Sequence, residues 1–144
     1  MSDPQARLTL ITLGVNDLAR STAFYESLGF ERKARKAGDV AFFDAGGVVL
    51  ALWSRQNLAN DAGLDVQGSG FRSTALAWNV GSEAEVEAAM QRVTAAGGRI
   101  VKAPQRAFWG GYTAYFADPD QHLWEVAHNP GFPFDERGCL MLPD

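Results

Sequence analysis

"TAYFADPDQHLWEVA", Thr113 to Ala127, and "VAFFDAGGVVLALW", Val40 to Trp53, read as two copies of one hairpin. Ala41-Phe42-Phe43 corresponds to Ala114-Tyr115-Phe116, and Leu50-Ala51-Leu52 corresponds to Trp124-Glu125-Val126. Each copy holds two short apolar runs joined by turn residues, Ala-Gly-Gly in one and Asp-Pro-Asp-Gln in the other. The second copy carries a carboxylate, Glu125, inside an apolar run, where carboxylates are rarely placed.

The same series of elements precedes each copy. In the first half, Leu8–Val15 reads as a buried strand and Asn16-Asp17 as a helix cap. Leu18, Ser21, Tyr25 and Leu28 follow at helical spacing, Phe24 widens the face, and Gly29 is the stop. Strands are predicted at Phe30–Arg35, Val40–Asp44 and Val48–Trp53. In the second half, Thr74–Val80 is a strand. Ser82 and Glu85 form a capping box, and Val86, Ala89, Met90 and Val93 give the helix its apolar face. Gly97-Gly98 ends that helix. Arg99–Lys102, Tyr112–Phe116 and His122–Ala127 are the remaining strands.

Strand, helix and three strands therefore occur twice, an internal repeat of α+β class. We expect one domain over residues 1–144, with a first module at 8–53 and a second at 72–128. The polar stretch 54–71 reads as a linker, or alternatively a lid over a pocket. The tail 129–144 carries Phe132, Phe134, Leu140 and Leu142, and is predicted to wrap over the body or over a partner subunit.

Apolar residues make up 47% of the chain, enough for a real core. Net charge is −4 with no basic stripe, so nucleic acid is not an expected partner. The single cysteine, Cys139, excludes an internal disulfide and any CxxC metal site. No leader pattern and no apolar run of about 20 residues is visible, so no membrane partner and a cytoplasmic location are expected.

"LGVNDLARSTAFYESLGF", Leu13 to Phe30, and "FWGGYTAYFADPDQHLWEV", Phe108 to Val126, together resemble the two half-signatures of the vicinal oxygen chelate superfamily. That group holds glyoxalase I, extradiol dioxygenases, fosfomycin-resistance transferases and bleomycin-resistance proteins. The resemblance implies two βαβββ modules whose strands curl into an incomplete barrel around a cavity. It also implies a homodimer, with each cavity often built from both subunits. One scaffold serves many chemistries, so no single reaction follows from the likeness.

In metal-using members, the resemblance places ligands on the first and last strand of each module. The matching positions here are Leu10, Ala51, Ala75 and Glu125. Three of the four carry no donor atom. Strand parity turns His122 and His128 to the face opposite Glu125. No cofactor is therefore expected. A divalent metal remains an alternative, with Glu125 as the only ligand among these positions and turn residues such as Asp118 or Asp120 as the other source of donors.

The same parity gives an expected ligand pocket: Leu10 and Thr12, Ala51 and Trp53, Ala75 and Asn79, with Glu125 as its carboxylate. Thr12 or Asn79 is the expected hydrogen-bond donor to Glu125. Trp109 and Tyr112, flanking Gly110-Gly111, are candidates to stack on a planar or cationic ligand, with packing at a barrel mouth as the alternative. Two functions fit. One is a metal-independent protein that binds a small, partly aromatic or cationic molecule, as bleomycin-resistance proteins do. The other is a glyoxalase-like lyase or isomerase with Glu125 as acid/base, or as ligand of a loosely held metal.

Overall fold

Asp17 starts the first helix. Its carboxylate accepts the Arg20 N–H at 3.0 Å, while its own backbone stays extended. Helix α1 (Leu18–Leu28) then runs to Gly29, whose φ of 104° sends the chain into the left-handed turn that releases it. The computed structural model describes residues 5–143. Residues 1–4 and 144, which include the expected domain ends and part of the stretch read for a leader, lie outside the described residues.

Strand β1 (Leu10–Val15) precedes α1, and β2 (Glu31–Lys33), β3 (Val40–Asp44) and β4 (Val49–Ser54) follow it. After α2 (Arg55–Ala62) the series repeats: β5 (Leu76–Asn79), α3 (Glu83–Ala95), β6 (Arg99–Arg106), β7 (Tyr112–Ala117) and β8 (Leu123–His128). The strands form two four-stranded sheets, ordered β1-β4-β3-β2 and β5-β8-β7-β6. In each sheet the first strand lies parallel to the last, and the other neighbours are antiparallel. The two βαβββ modules are thus present, and equivalent in topology.

Three features differ from expectation. The stretch predicted as a linker at 54–71 folds in part, because Ser54 caps α2 by accepting the Asn57 N–H at 3.2 Å. Arg55 then donates to the carbonyls of Val66 and Gly68, at 2.7 Å each, and so ties down the following loop. Strand β6 runs past Lys102 to Arg106, with two register shifts. Pro104 is tolerated there because β6 is an edge strand. The capping box of α3 is also displaced: Ser82 accepts from Glu85 N–H, but the Glu85 carboxylate reaches the Gly81 N–H instead.

Helices α1 and α3 each cover one face of their sheet, and those faces share one core. Leu13, Val15, Phe43, Leu50 and Leu52 come from the first sheet, and Phe116, Trp124 and Val126 from the second. Tyr25 of α1 sits where the modules meet, fully buried, with its ring 6.0 Å from Trp124 and 6.2 Å from Phe43. Its hydroxyl donates to Asp118 at 2.6 Å and accepts from Trp124 Nε1 at 3.1 Å.

Burial holds the Tyr25 phenol well above its ordinary pKa, and the neighbouring Asp118 carboxylate raises it further. The consequence for stability has a definite sign. Above about pH 10 an unfolded tyrosine releases a proton that folded Tyr25 keeps, so the folded state binds more protons and stability falls as pH rises. Tyr112 and Tyr115 are also raised and act in the same direction. Urea midpoints should therefore drop between pH 9 and 11, and Tyr25→Phe should flatten that slope without abolishing it. An unchanged slope in Tyr25→Phe would refute the assignment.

Candidate functional site

Residues directly opposite each other on paired strands share a face. In the first sheet, the row through Ala51 runs Thr12, Ala51, Phe42, Lys33. In the second sheet, the row through Glu125 runs Ala77, Glu125, Tyr115, Lys102. Both rows lie on the face of their sheet opposite α1 and α3. The rows correspond strand by strand, so Ala51 is the structural counterpart of Glu125, and Phe42 that of Tyr115. Each row ends in a lysine on its outermost strand.

Glu125 is half-buried and accepts a hydrogen bond from the Tyr115 hydroxyl at 3.1 Å. Tyr115, rather than Thr12 or Asn79, is thus its donor. Burial pushes the Tyr115 phenol above its ordinary pKa, and the hydrogen bond to Glu125 adds to the rise. Lys102 is exposed and, among the described residues, makes no ion pair. Lys33 pairs with Glu31 at 2.7 Å on the surface, an interaction worth little in water.

The expected pocket is only partly assembled within one chain. Thr12, Ala51 and Trp53 share the face of the first sheet opposite α1, since Trp53 lies two residues beyond Ala51 on β4. The Trp53 Nε1 is shielded from solvent and finds no partner among the described residues. Leu10 stands at the start of β1, 41% exposed, beside a cavity of about 560 Å³ that Phe42 and Lys33 also line. Asn79 shares its face with Ala127 on the second sheet. A larger cavity between the modules, about 750 Å³, is lined by Asn79 but by neither Glu125 nor Ala51.

Two sequence-based placements are corrected, those of Tyr112 and Ala75. Tyr112 belongs to the helix side of β7, with Ala114 and Phe116, and its hydroxyl is held by Glu87 of α3. It therefore does not face the Glu125 row. Ala75 lies before β5 and is exposed. Trp109 sits at the tip of the β6–β7 hairpin, 45% exposed, with its ring folded over Gly111. A Cβ at Gly111 would fall 2.0 Å from that ring, so only glycine permits the arrangement.

His122 and His128 turn away from Glu125, as parity predicts. His122 Nε2 lies 2.7 Å from the Gly14 carbonyl, and His128 Nδ1 lies 3.3 Å from the Val80 carbonyl. Asp118 and Asp120 are committed to the fold. Asp118 accepts from Tyr25 and from two backbone N–H groups, and Asp120 accepts from Asn16 N–H and Ser21 Oγ. Gln121 beside them has a φ of 68°, a strained value for a side-chain-bearing residue, and costs about 1 kcal/mol. Among the described residues, no three His, Cys, Asp or Glu side chains are grouped closely enough to hold a metal ion. Leu10, Ala51 and Ala75 offer no donor at the positions where the resemblance puts ligands. The residues of this chain do not fit that ligand set.

Two topologically equal βαβββ modules, with a carboxylate on the last strand of the second, match a family described as the Glyoxalase/Bleomycin resistance protein/Dioxygenase superfamily over residues 7–126. The chain belongs to that superfamily. A glyoxalase-related enzyme from Fulvimarina pelagi is 38% identical, with a TM-score of 0.87 over 97% of this chain and all of that one. An uncharacterized protein of Mycolicibacterium smegmatis is 32% identical over 107 residues, 72% of this chain and 77% of its own. The metallothiol transferase FosB of Lysinibacillus sphaericus is 29% identical, covering 80% of this chain and 77% of its own. The glyoxalase-related enzyme and the metallothiol transferase are named for different chemistry, so the function has to be argued from this chain's own rows. Among its described residues no helix is long and apolar enough to cross a membrane.

Proposed function

We propose that this superfamily member binds a small, partly aromatic molecule bearing a cationic or hydrogen-bond-donating group, and does so without a catalytic metal. One observation carries the reading. Glu125 is the only carboxylate in its row and is oriented by Tyr115, while the equivalent positions hold Leu10, Ala51 and Ala75. A lone oriented carboxylate suits a ligand cation better than a metal ion, which needs several donors. The Tyr115 and Phe42 rings supply flat apolar surface on the two rows.

The working unit we propose is a homodimer. β1 and β5 end their sheets with one edge unpaired, and Leu10 and Ala77 on those edges are exposed. A second copy laid against them would bring the row of one chain opposite the row of the other and close the pocket.

A second reading is a glyoxalase-like isomerase, in which Glu125 takes a proton from a carbon acid and returns it to the neighbouring carbon. The Tyr115–Glu125 hydrogen bond favours it, because it places a protonated phenol beside the proton carrier.

Titration with planar aromatic amines, followed by tryptophan fluorescence, should show saturable binding, and light scattering should give twice the chain mass. No binding across a broad panel would count against the first reading. Stoichiometric divalent metal in protein purified without chelator or histidine tag would overturn its metal independence.

A further inference from the structure

The cavity of about 750 Å³ between the modules meets the Glu125 row at Ala77 and is lined by neither Glu125 nor Tyr115. Ile11 and Leu50 form one wall, Leu76 and Trp124 another, and Phe134 and Leu140 of the tail close a third side. Its size is that of an ordinary small-molecule site. The chain carries 17 acidic residues and a net charge of −4, yet among the described residues no acidic side chain lines this space. Its one charged lining residue is Arg92.

Arg92 comes from α3 and donates Nη1 to the Leu28 carbonyl at 2.9 Å, at the C-terminal end of α1. Among the described residues it pairs with no carboxylate. A guanidinium has five N–H donors in a planar fork, so one edge held by a carbonyl leaves others able to grip an anion. An apolar space with a single cation at its wall is complementary to an apolar molecule with a single anion.

The tail forms the cover. Phe134 and Leu140 are bridged as a small antiparallel turn, and the Asp135 carboxylate holds the turn by accepting the Arg137 and Cys139 N–H groups. Few bonds tie this turn to the body. One is the 3.8 Å approach of Cys139 Sγ to the Gly46 carbonyl. A cover held by its own internal bonds can lift as a unit, at little cost to the rest of the fold.

We propose that the inter-module cavity is a second ligand site, which takes a small apolar monocarboxylate with its carboxylate on Arg92 and its hydrocarbon body against Leu50, Leu76 and Trp124. The site is independent of the Glu125 reading: Ala77 is the one member of that row at its wall, and Glu125, Tyr115 and Lys102 do not line it.

Dodecanoate and dodecanol test it on the full chain. Trp78 and Trp124 line the cavity and report occupancy by fluorescence. Cys139 also lines it, and reports through its rate of reaction with a thiol reagent. Dodecanoate should bind at one per chain, at least tenfold more tightly than dodecanol, and should slow Cys139 modification at saturation. Arg92→Met keeps the apolar stem and should reduce dodecanoate to the affinity of dodecanol, leaving dodecanol unchanged. Glu125→Gln should change neither. Should Arg92→Met fail to fold, Cys139→Phe fills the cavity from the tail side and must abolish binding of both probes. Equal affinity for acid and alcohol, full affinity in either variant, or no protection of Cys139 overturns the proposal. So does the absence of saturable binding, as when a second copy of the chain seals the mouth.

Discussion

Asp118→Ala should lower the unfolding free energy by about 3–5 kcal/mol, the largest loss expected from a single polar substitution here. The Asp118 side chain is 2% exposed and accepts three hydrogen bonds: Tyr25 Oη at 2.6 Å, Asp120 N–H at 2.8 Å and His122 N–H at 2.8 Å. Alanine leaves all three donors without their partner, and each buried orphan costs about 1–3 kcal/mol. The damage reaches both modules. Tyr25 belongs to the first, Asp118 and Trp124 to the second, and the Tyr25 hydroxyl is also the acceptor for Trp124 Nε1. Asp118→Asn keeps the shape and one oxygen for the two backbone donors, so it should lose less. Urea denaturation at neutral pH checks both variants. A loss below about 1 kcal/mol for Asp118→Ala would mean that the modules are held together by the apolar core alone.

The repeat was legible because it rests on local rules. Alternation with period two in Leu50–Trp53 and Leu123–Val126 fixed which side chains meet the helices, and Asp17, Ser82 and Gly29 marked the helix ends where the structure has them. Helix α2 was not legible, since Arg55–Ala62 is polar and buries no residue; its stability comes from the Ser54 cap and from packing on β1 and β4. Tyr115 was missed for another reason. The resemblance points to the first and last strands of each module, whereas the row that holds Glu125 continues onto β7 and β6. Parity counted from Ala114 and Phe116 would have placed Tyr112 on the helix side and Tyr115 beside Glu125. The part played by Asp118 was hidden by distance: its partner Tyr25 lies 93 residues away in sequence, and a Pro-containing turn is sufficient explanation for an aspartate until the fold brings them together.

Glu125→Gln should weaken a cationic aromatic ligand by about 10- to 100-fold and leave a neutral aromatic of the same shape within about threefold. The amide keeps the size of the carboxylate and an oxygen able to accept from the Tyr115 hydroxyl at the same place, so the row should hold its geometry. What changes is the charge. A hydrogen bond to a charged partner contributes about 1.5–3 kcal/mol, which is the 10- to 100-fold expected here. Tyr115→Phe acts differently. It removes the donor that orients Glu125 but leaves the charge, so the cation should lose only a few-fold in affinity. The isomerase reading gives another pattern for the same pair. Glu125→Gln would then abolish turnover with KM little altered, because the group lost carries the proton and does not hold the substrate. Tyr115→Phe would lower kcat and shift its alkaline limb, since the raised Tyr115 phenol donates only while protonated. Equal affinity of wild type and Glu125→Gln for the cation, with no turnover in either, would remove Glu125 from both readings and leave it a structural partner of Tyr115.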